Sequence, residues 1–108
     1  MAFRKGVKVV LVTCGSLLEG RRIARALVRR RLAACVNVIS SPVESVYRWK
    51  GKLQSSREFL LLIQTTARRV KALETEIARS HSYEVPEFLL LDVTGGSQKY
   101  LEWLEGAL

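Results

Sequence analysis

Ala33-Ala-Cys-Val-Asn-Val-Ile39, Ser40-Ser-Pro42, Val43-Glu-Ser-Val-Tyr-Arg-Trp49, Lys50-Gly-Lys52 and the run from Leu53 to Thr65 decide the fold. The first segment is apolar and rich in β-branched residues, which reads as a buried strand. Pro42 cannot donate a ladder hydrogen bond, so it marks a bend or an edge position before extended character resumes. Lys50-Gly51-Lys52 signals a tight turn, and Phe59 to Ile63 is wholly apolar. The stretch predicts one long β-hairpin with arms at residues 34–48 and 52–65, each longer than the usual strand of about five or six residues. The far ends of such arms have no partner in a four-stranded subunit and leave sheet edge exposed. A head-to-tail contact closing by three-fold rotation would bury those edges and create three equivalent clefts between subunits.

Upstream, Gly6 to Thr13 is a short β-branched strand, and Cys14-Gly-Ser16 supplies a turn and an N-cap. From Leu17 to Leu32, Ile23, Ala24, Leu27 and Val28 recur at helical spacing, whereas Arg21, Arg22, Arg25 and Arg29 gather within about 100° on another side. This is an amphipathic helix with an arginine stripe. Downstream, Val70, Leu73 and Ile77 mark a second helix over residues 67–79 with Thr66 as its N-cap, followed by a loop at His81 to Glu87. Phe88 to Val93 reads as the last strand, Gly95-Gly96 as its break, and Ser97 as the cap of a short terminal helix carrying Tyr100, Leu101, Trp103 and Leu104. The order is an α+β, ferredoxin-like βαββαβ sandwich with a long hairpin between its second and third strands and a short C-terminal helix. Right-handed crossovers select the spatial order 4-1-3-2 with both long helices on one face. That order brings Cys14, the His81 loop and the hairpin base to one pole.

One hundred and eight residues make about one domain, 1–108, on a prior of roughly 100 to 200 residues each. Apolar residues at 48% and a mean hydropathy of +0.08 exclude a disordered chain. The longest apolar runs fall far short of the roughly 18 residues that span a bilayer, and the N-terminus has no secretory pattern, so a cytoplasmic address is expected. Two cysteines, Cys14 and Cys35, are too few for a disulfide framework and stay available as thiols or metal ligands. Cys35, in an apolar strand, reads as a small hydrophobe. A net charge of +8 raises the question of nucleic acid. RNA-recognition modules of this architecture stack bases on aromatic residues of the sheet face, and Val7 to Val12 contains none. The positive charge is concentrated on the first helix and the residues just after it, which reads as a solvated stripe, so the expectation is no nucleic-acid partner and no membrane.

Three stretches, Leu32-Ala-Ala-Cys-Val-Asn37, Val46-Tyr-Arg-Trp-Lys-Gly51 and His81-Ser-Tyr-Glu-Val-Pro-Glu87, with Tyr100-Leu-Glu-Trp103 closing the chain, resemble the CutA family of divalent-cation tolerance proteins. The resemblance runs from about residue 8 to 106. It implies a ferredoxin-like subunit in a tight homotrimer, architecturally similar to the PII signalling proteins, with binding of copper or other divalent cations and no enzymatic activity. The chain departs from the family pattern at Ser82, where a proline is usual, at Gln64-Thr65, where Lys-Thr is frequent, and at Cys14-Gly15, where a Thr-x-Pro pattern is usual.

His81, the only histidine, can ligate a metal or cap helix-end carbonyls, and the resemblance favours ligation. Cys14 lies where the first strand meets the first helix, so backbone N–H groups and the helix dipole favour a thiolate. Cys14 and His81 form a two-ligand start for Cu(I) or Zn(II), with Glu84, Glu87 or a neighbouring subunit completing it. Glu58 and Glu87 read as interface or cleft carboxylates. Tyr47, Trp49, Tyr83 and Trp103 read as aromatic residues of an interface or cleft. A PII-like sensor of a small molecule is the competing reading.

Overall fold

In the computed structural model, which describes residues 1–108, the chain runs β1 (Ala2–Phe3), β2 (Val7–Cys14), α1 (Leu17–Arg29), β3 (Cys35–Val38), β4 (Val43–Trp49), β5 (Lys52–Thr66), α2 (Ala67–Ser80), β6 (Leu89–Asp92), β7 (Gly95–Gly96) and α3 (Gln98–Gly106). The main sheet is antiparallel in the order β3-β5-β2-β6, with β4 also paired to β5. With β3 and β4 as one interrupted arm, this is the expected 4-1-3-2 order. Val10 of β2 lies opposite Ile63 of β5 on one side and Leu90 of β6 on the other. Residues Ser40 to Pro42 interrupt the arm because proline cannot continue the ladder.

Helix α1 begins where Ser16 Oγ accepts the Glu19 amide at 3.1 Å. It stops at Arg29, three residues short of the expected Leu32, because Arg31 turns left-handed (φ +58°) and the amides of Leu32 and Ala33 fold back onto the Leu27 carbonyl. Thr66 occupies the N-cap position of α2, but its side chain makes no capping bond. The Ala67 amide donates instead to the Gly6 carbonyl at 2.7 Å. The helices touch each other and one face of the sheet, and Ile23, Leu27, Leu73 and Ile77 bury against Val10, Val12, Leu61 and Ile63.

Strand β5 has fifteen residues in two environments. From Glu58 onward its side chains alternate into the core, while Lys52 to Arg57 run out along β4 beyond it. The molecule is therefore elongated, 44 × 25 × 25 Å. Gly95-Gly96 does more than break the preceding strand: it pairs with Ala2-Phe3 as a two-stranded sheet. A Cβ at Gly95 would sit 2.5 Å from the Ala2 carbonyl oxygen, so only glycine allows this approach. Under it Val7, Ala34, Leu101 and Leu104 form a second small core. No helix is long and apolar enough to cross a membrane.

Candidate functional site

The end of β2, the start of α1 and the residues after α2 meet at one pole. There the ligand atoms of Cys14, Glu19 and His81 lie within 4.8 Å of one another. Glu84 does not join this group; it is exposed on the loop beyond. Glu19, which sequence reasoning passed over, takes its place. Its signal was present in the capping spacing Ser16-Leu-Leu-Glu19. The Glu19 carboxylate does not turn back to its own cap. It accepts the Ser82 amide at 2.9 Å and the Ser82 hydroxyl at 3.1 Å, with Arg22 Nη2 at 3.5 Å. Ser82, the departure from the family's usual proline, thus ties the loop to α1 through two donors.

His81 is 8% exposed and both ring nitrogens are engaged. The Tyr83 amide can only donate, so Nδ1, 3.0 Å away, accepts; the Thr13 carbonyl can only accept, so Nε2 donates across 2.7 Å. The ring is a neutral tautomer with no lone pair to spare. Cys14 is fully buried. Burial, then the charge of Glu19, pushes its thiol up to about 12 against the opposing pull of Arg22. This corrects the expectation of a thiolate: the helix dipole is outweighed by desolvation. As arranged, both imidazole nitrogens and the carboxylate, with three contacts, are already engaged by protein groups, so a soft metal would have to displace these bonds and the thiol proton. These side chains form a hydrogen-bonded joint between β2, α1 and the loop.

Beside the joint opens a cleft of about 610 Å³, lined by Thr13, Tyr47, Trp49, Glu58, Tyr83, Glu84 and Glu87 among eleven residues. Two strands of the hairpin supply Tyr47, Trp49 and Glu58, the end of β2 supplies Thr13, and the loop after α2 supplies Tyr83, Glu84 and Glu87. Glu58 is only 7% exposed and accepts the Tyr83 hydroxyl at 2.9 Å. Burial and this bond to Glu58 raise the Tyr83 phenol far above its ordinary value. Burial, then the Glu58 charge, raises the Glu87 carboxyl. No Lys or Arg lines the cleft, and Glu58 belongs to no ion pair. A tilted ring contact of His81 with Tyr83, centroids 4.7 Å apart and planes at 54°, links the joint to the cleft. Trp103 lies elsewhere, on α3 against Tyr100 at 5.3 Å, and is absent from the cleft.

Comparison with known proteins accords with this architecture. The chain is 44% identical over 99 residues to the chloroplastic protein CutA of Arabidopsis thaliana, covering 92% of this chain and 54% of that one. It is 42% identical over 97 residues to the divalent-cation tolerance protein CutA of Thermus thermophilus, covering 90% and 93%. It therefore spans about half the length of the plant relative and nearly all of the bacterial one. The structure of CutA from Synechococcus elongatus complexed with a Bis-Tris molecule superposes with a TM-score of 0.90 at 30% identity, covering 99% of this chain and 98% of that one. The model of the CutA1 divalent ion tolerance protein family matches residues 8–107, and the chain belongs to that family.

Proposed function

We propose that this chain serves divalent-cation tolerance as a non-catalytic cytoplasmic homotrimer that takes copper or another divalent ion at the Glu58, Glu84 and Glu87 carboxylates of its cleft. The observation that carries the reading is Glu58, a buried carboxylate with one neutral donor and no cationic partner in a chain of eighteen Lys and Arg. A charge buried without a counter-charge is costly, and a cation entering the cleft relieves it. Carboxylate and carbonyl oxygens suit hard divalent ions and are acceptable to Cu(II). Self-assembly is supported by apolar side chains left in the open: Val46 and Leu53 on the hairpin, and Leu89, Leu90 and Leu91 on β6. Pairing between copies would cover them and set a second subunit over the cleft. Two unpaired thiols are in keeping with a cytoplasmic location.

Calorimetry with Cu(II), Zn(II) and Mg(II) on the purified assembly tests the metal. Binding that is lost in Glu58→Gln or Glu87→Gln and kept in His81→Asn is the expected result. Binding lost in His81→Asn but kept in the glutamine variants would overturn the assignment, as would no binding at all. Light scattering reads the trimer. A second reading, PII-like capture of a small molecule, draws on a cleft much larger than one ion, on the Tyr47, Trp49 and Tyr83 rings, and on the Bis-Tris complex of the Synechococcus relative. A metabolite that raises the melting temperature in the presence of EDTA selects it.

A further inference from the structure

The net charge of this chain is not spread over its surface. Residues 17–31 and 67–80, the two long helices with the end of α1, carry ten Lys and Arg against three Glu, a balance of +7 out of the total +8. Both helices lie on one face of the sheet and touch. Of the three acids in this layer two are engaged, and the third, Glu74 on α2, is exposed and enters no ion pair. Glu19 is held by Ser82 and Arg22, and Glu76 accepts Ser80 Oγ at 2.6 Å and Arg79 Nη2 at 2.8 Å as well as Arg30. Arg22 and Arg30 point toward α2, the first to the Ser80 carbonyl at 3.2 Å and the second to Glu76. Arg21, Arg25 and Arg29 are exposed and enter no ion pair. They border an open groove beside Val36 and Val38 of β3, and no carboxylate lines it.

We infer that the helical layer, led by Arg21, Arg25 and Arg29, docks the phosphate backbone of duplex nucleic acid without reading its sequence. Three arginines four residues apart on one helix face stand about 6 Å from one another along the axis, a linear array suited to successive phosphodiesters of one strand. Nine of the ten cations are arginine, whose planar fork engages phosphate oxygens bidentately. The two helices carry no aromatic residue, so unpaired bases have nothing to stack on and a single strand is disfavoured against a duplex. An anionic membrane is disfavoured too, since Leu18 and Val28 are the only large apolar side chains the layer exposes. The expectation of no nucleic-acid partner rested on the sheet face and on reading the arginines of the first helix as a solvated stripe; three of them unpaired along a groove with no carboxylate are what favour a phosphate-docking role instead.

The test uses the full assembly, a fluorescent 30-base-pair DNA and vesicles containing about 30% phosphatidylserine, at 50 and 200 mM salt. Anisotropy should rise with protein at 50 mM and fall away at 200 mM. Replacing Arg21, Arg25 and Arg29 together by alanine should weaken duplex binding at least tenfold and lower the log–log salt slope by about 2.7 per engaged subunit. The charge-matched triple variant Arg48→Ala, Lys52→Ala, Arg57→Ala on the hairpin should stay within about twofold. Unchanged melting temperatures separate loss of contact from loss of fold. No duplex binding at 50 mM, equal loss in both triple variants, or vesicle binding that depends on the arginines while duplex binding does not, each overturns the proposal.

Discussion

The Nε2 of His81 sits 2.7 Å from the carbonyl oxygen of Thr13, while its Nδ1 receives the Tyr83 amide. One buried ring therefore closes the space between the end of β2 and the loop that carries Tyr83 to Glu58. Replacing His81 by alanine removes the ring contact with Tyr83 and strands a carbonyl and an amide. Two lost partners at about 1 to 3 kcal/mol each predict a destabilisation of about 2–6 kcal/mol. Urea denaturation measures it. A change below about 0.5 kcal/mol would show that the ring is not a structural member of this joint.

Cys14 supplies a pH dependence whose sign follows from its raised pKa. In the unfolded chain the thiol ionises near 8.5; in the fold it is held neutral up to about 12. The stabilising difference is fully present below the unfolded value and is lost as pH rises from about 9 toward 12. Cys14→Ala has no thiol to ionise, so its stability should fall less steeply than that of the parent between pH 8 and 11. Native protein should also resist iodoacetamide at Cys14 at pH 8 and react once unfolded in urea. Parallel stability curves, or rapid native alkylation, would contradict the neutral buried thiol.

Glu76 acts at the opposite end of the pH scale. Hydrogen bonds from Ser80 and Arg79, with the charges of Arg30 and Arg79, hold its carboxyl below the usual range. Its contribution is present above the unfolded carboxyl value and lost as pH falls through the folded one. Both arginines are more than half exposed, so water screens the pairs and the cost of Glu76→Gln at pH 7 should be about 1–2 kcal/mol. As pH falls below the unfolded carboxyl value the gap between the two proteins in a thermal melt should narrow, closing once the folded carboxyl is protonated. A gap that does not narrow at all between pH 6 and pH 2 would mean that shape, not charge, is what glutamine disturbs.

Local chemistry made much of this legible. Ser16 capped the helix it was expected to cap, Pro42 interrupted the arm where a missing N–H must interrupt it, and the 4-1-3-2 order followed from handed crossovers. What escaped depends on partners distant in sequence. The Gly95-Gly96 pair becomes a strand only because Ala2-Phe3 comes alongside, and no local pattern announces that. The same holds at the pole. Cys14 and His81 were legible as neighbours from topology, but the choice of Glu19 over Glu84 as the third member depends on which way a loop turns after α2. The neutral state of Cys14 depends on burial that composition does not encode.

Gly15 offers a way to move the cleft without dismantling the core. A Cβ built there meets the Tyr83 hydroxyl oxygen at 3.0 Å, and that atom is the far end of a side chain able to give. Gly15→Ala should therefore cost less than about 1 kcal/mol of stability. The phenol that yields is the only hydrogen-bond donor on Glu58, so the shift must show at the carboxylate. If the cleft takes a cation at Glu58, its affinity in calorimetry should change by about threefold or more while the melting temperature moves by only a few degrees. An unchanged affinity beside a displaced tyrosine would separate the ion from Glu58 and return the search to the other carboxylates of the cleft.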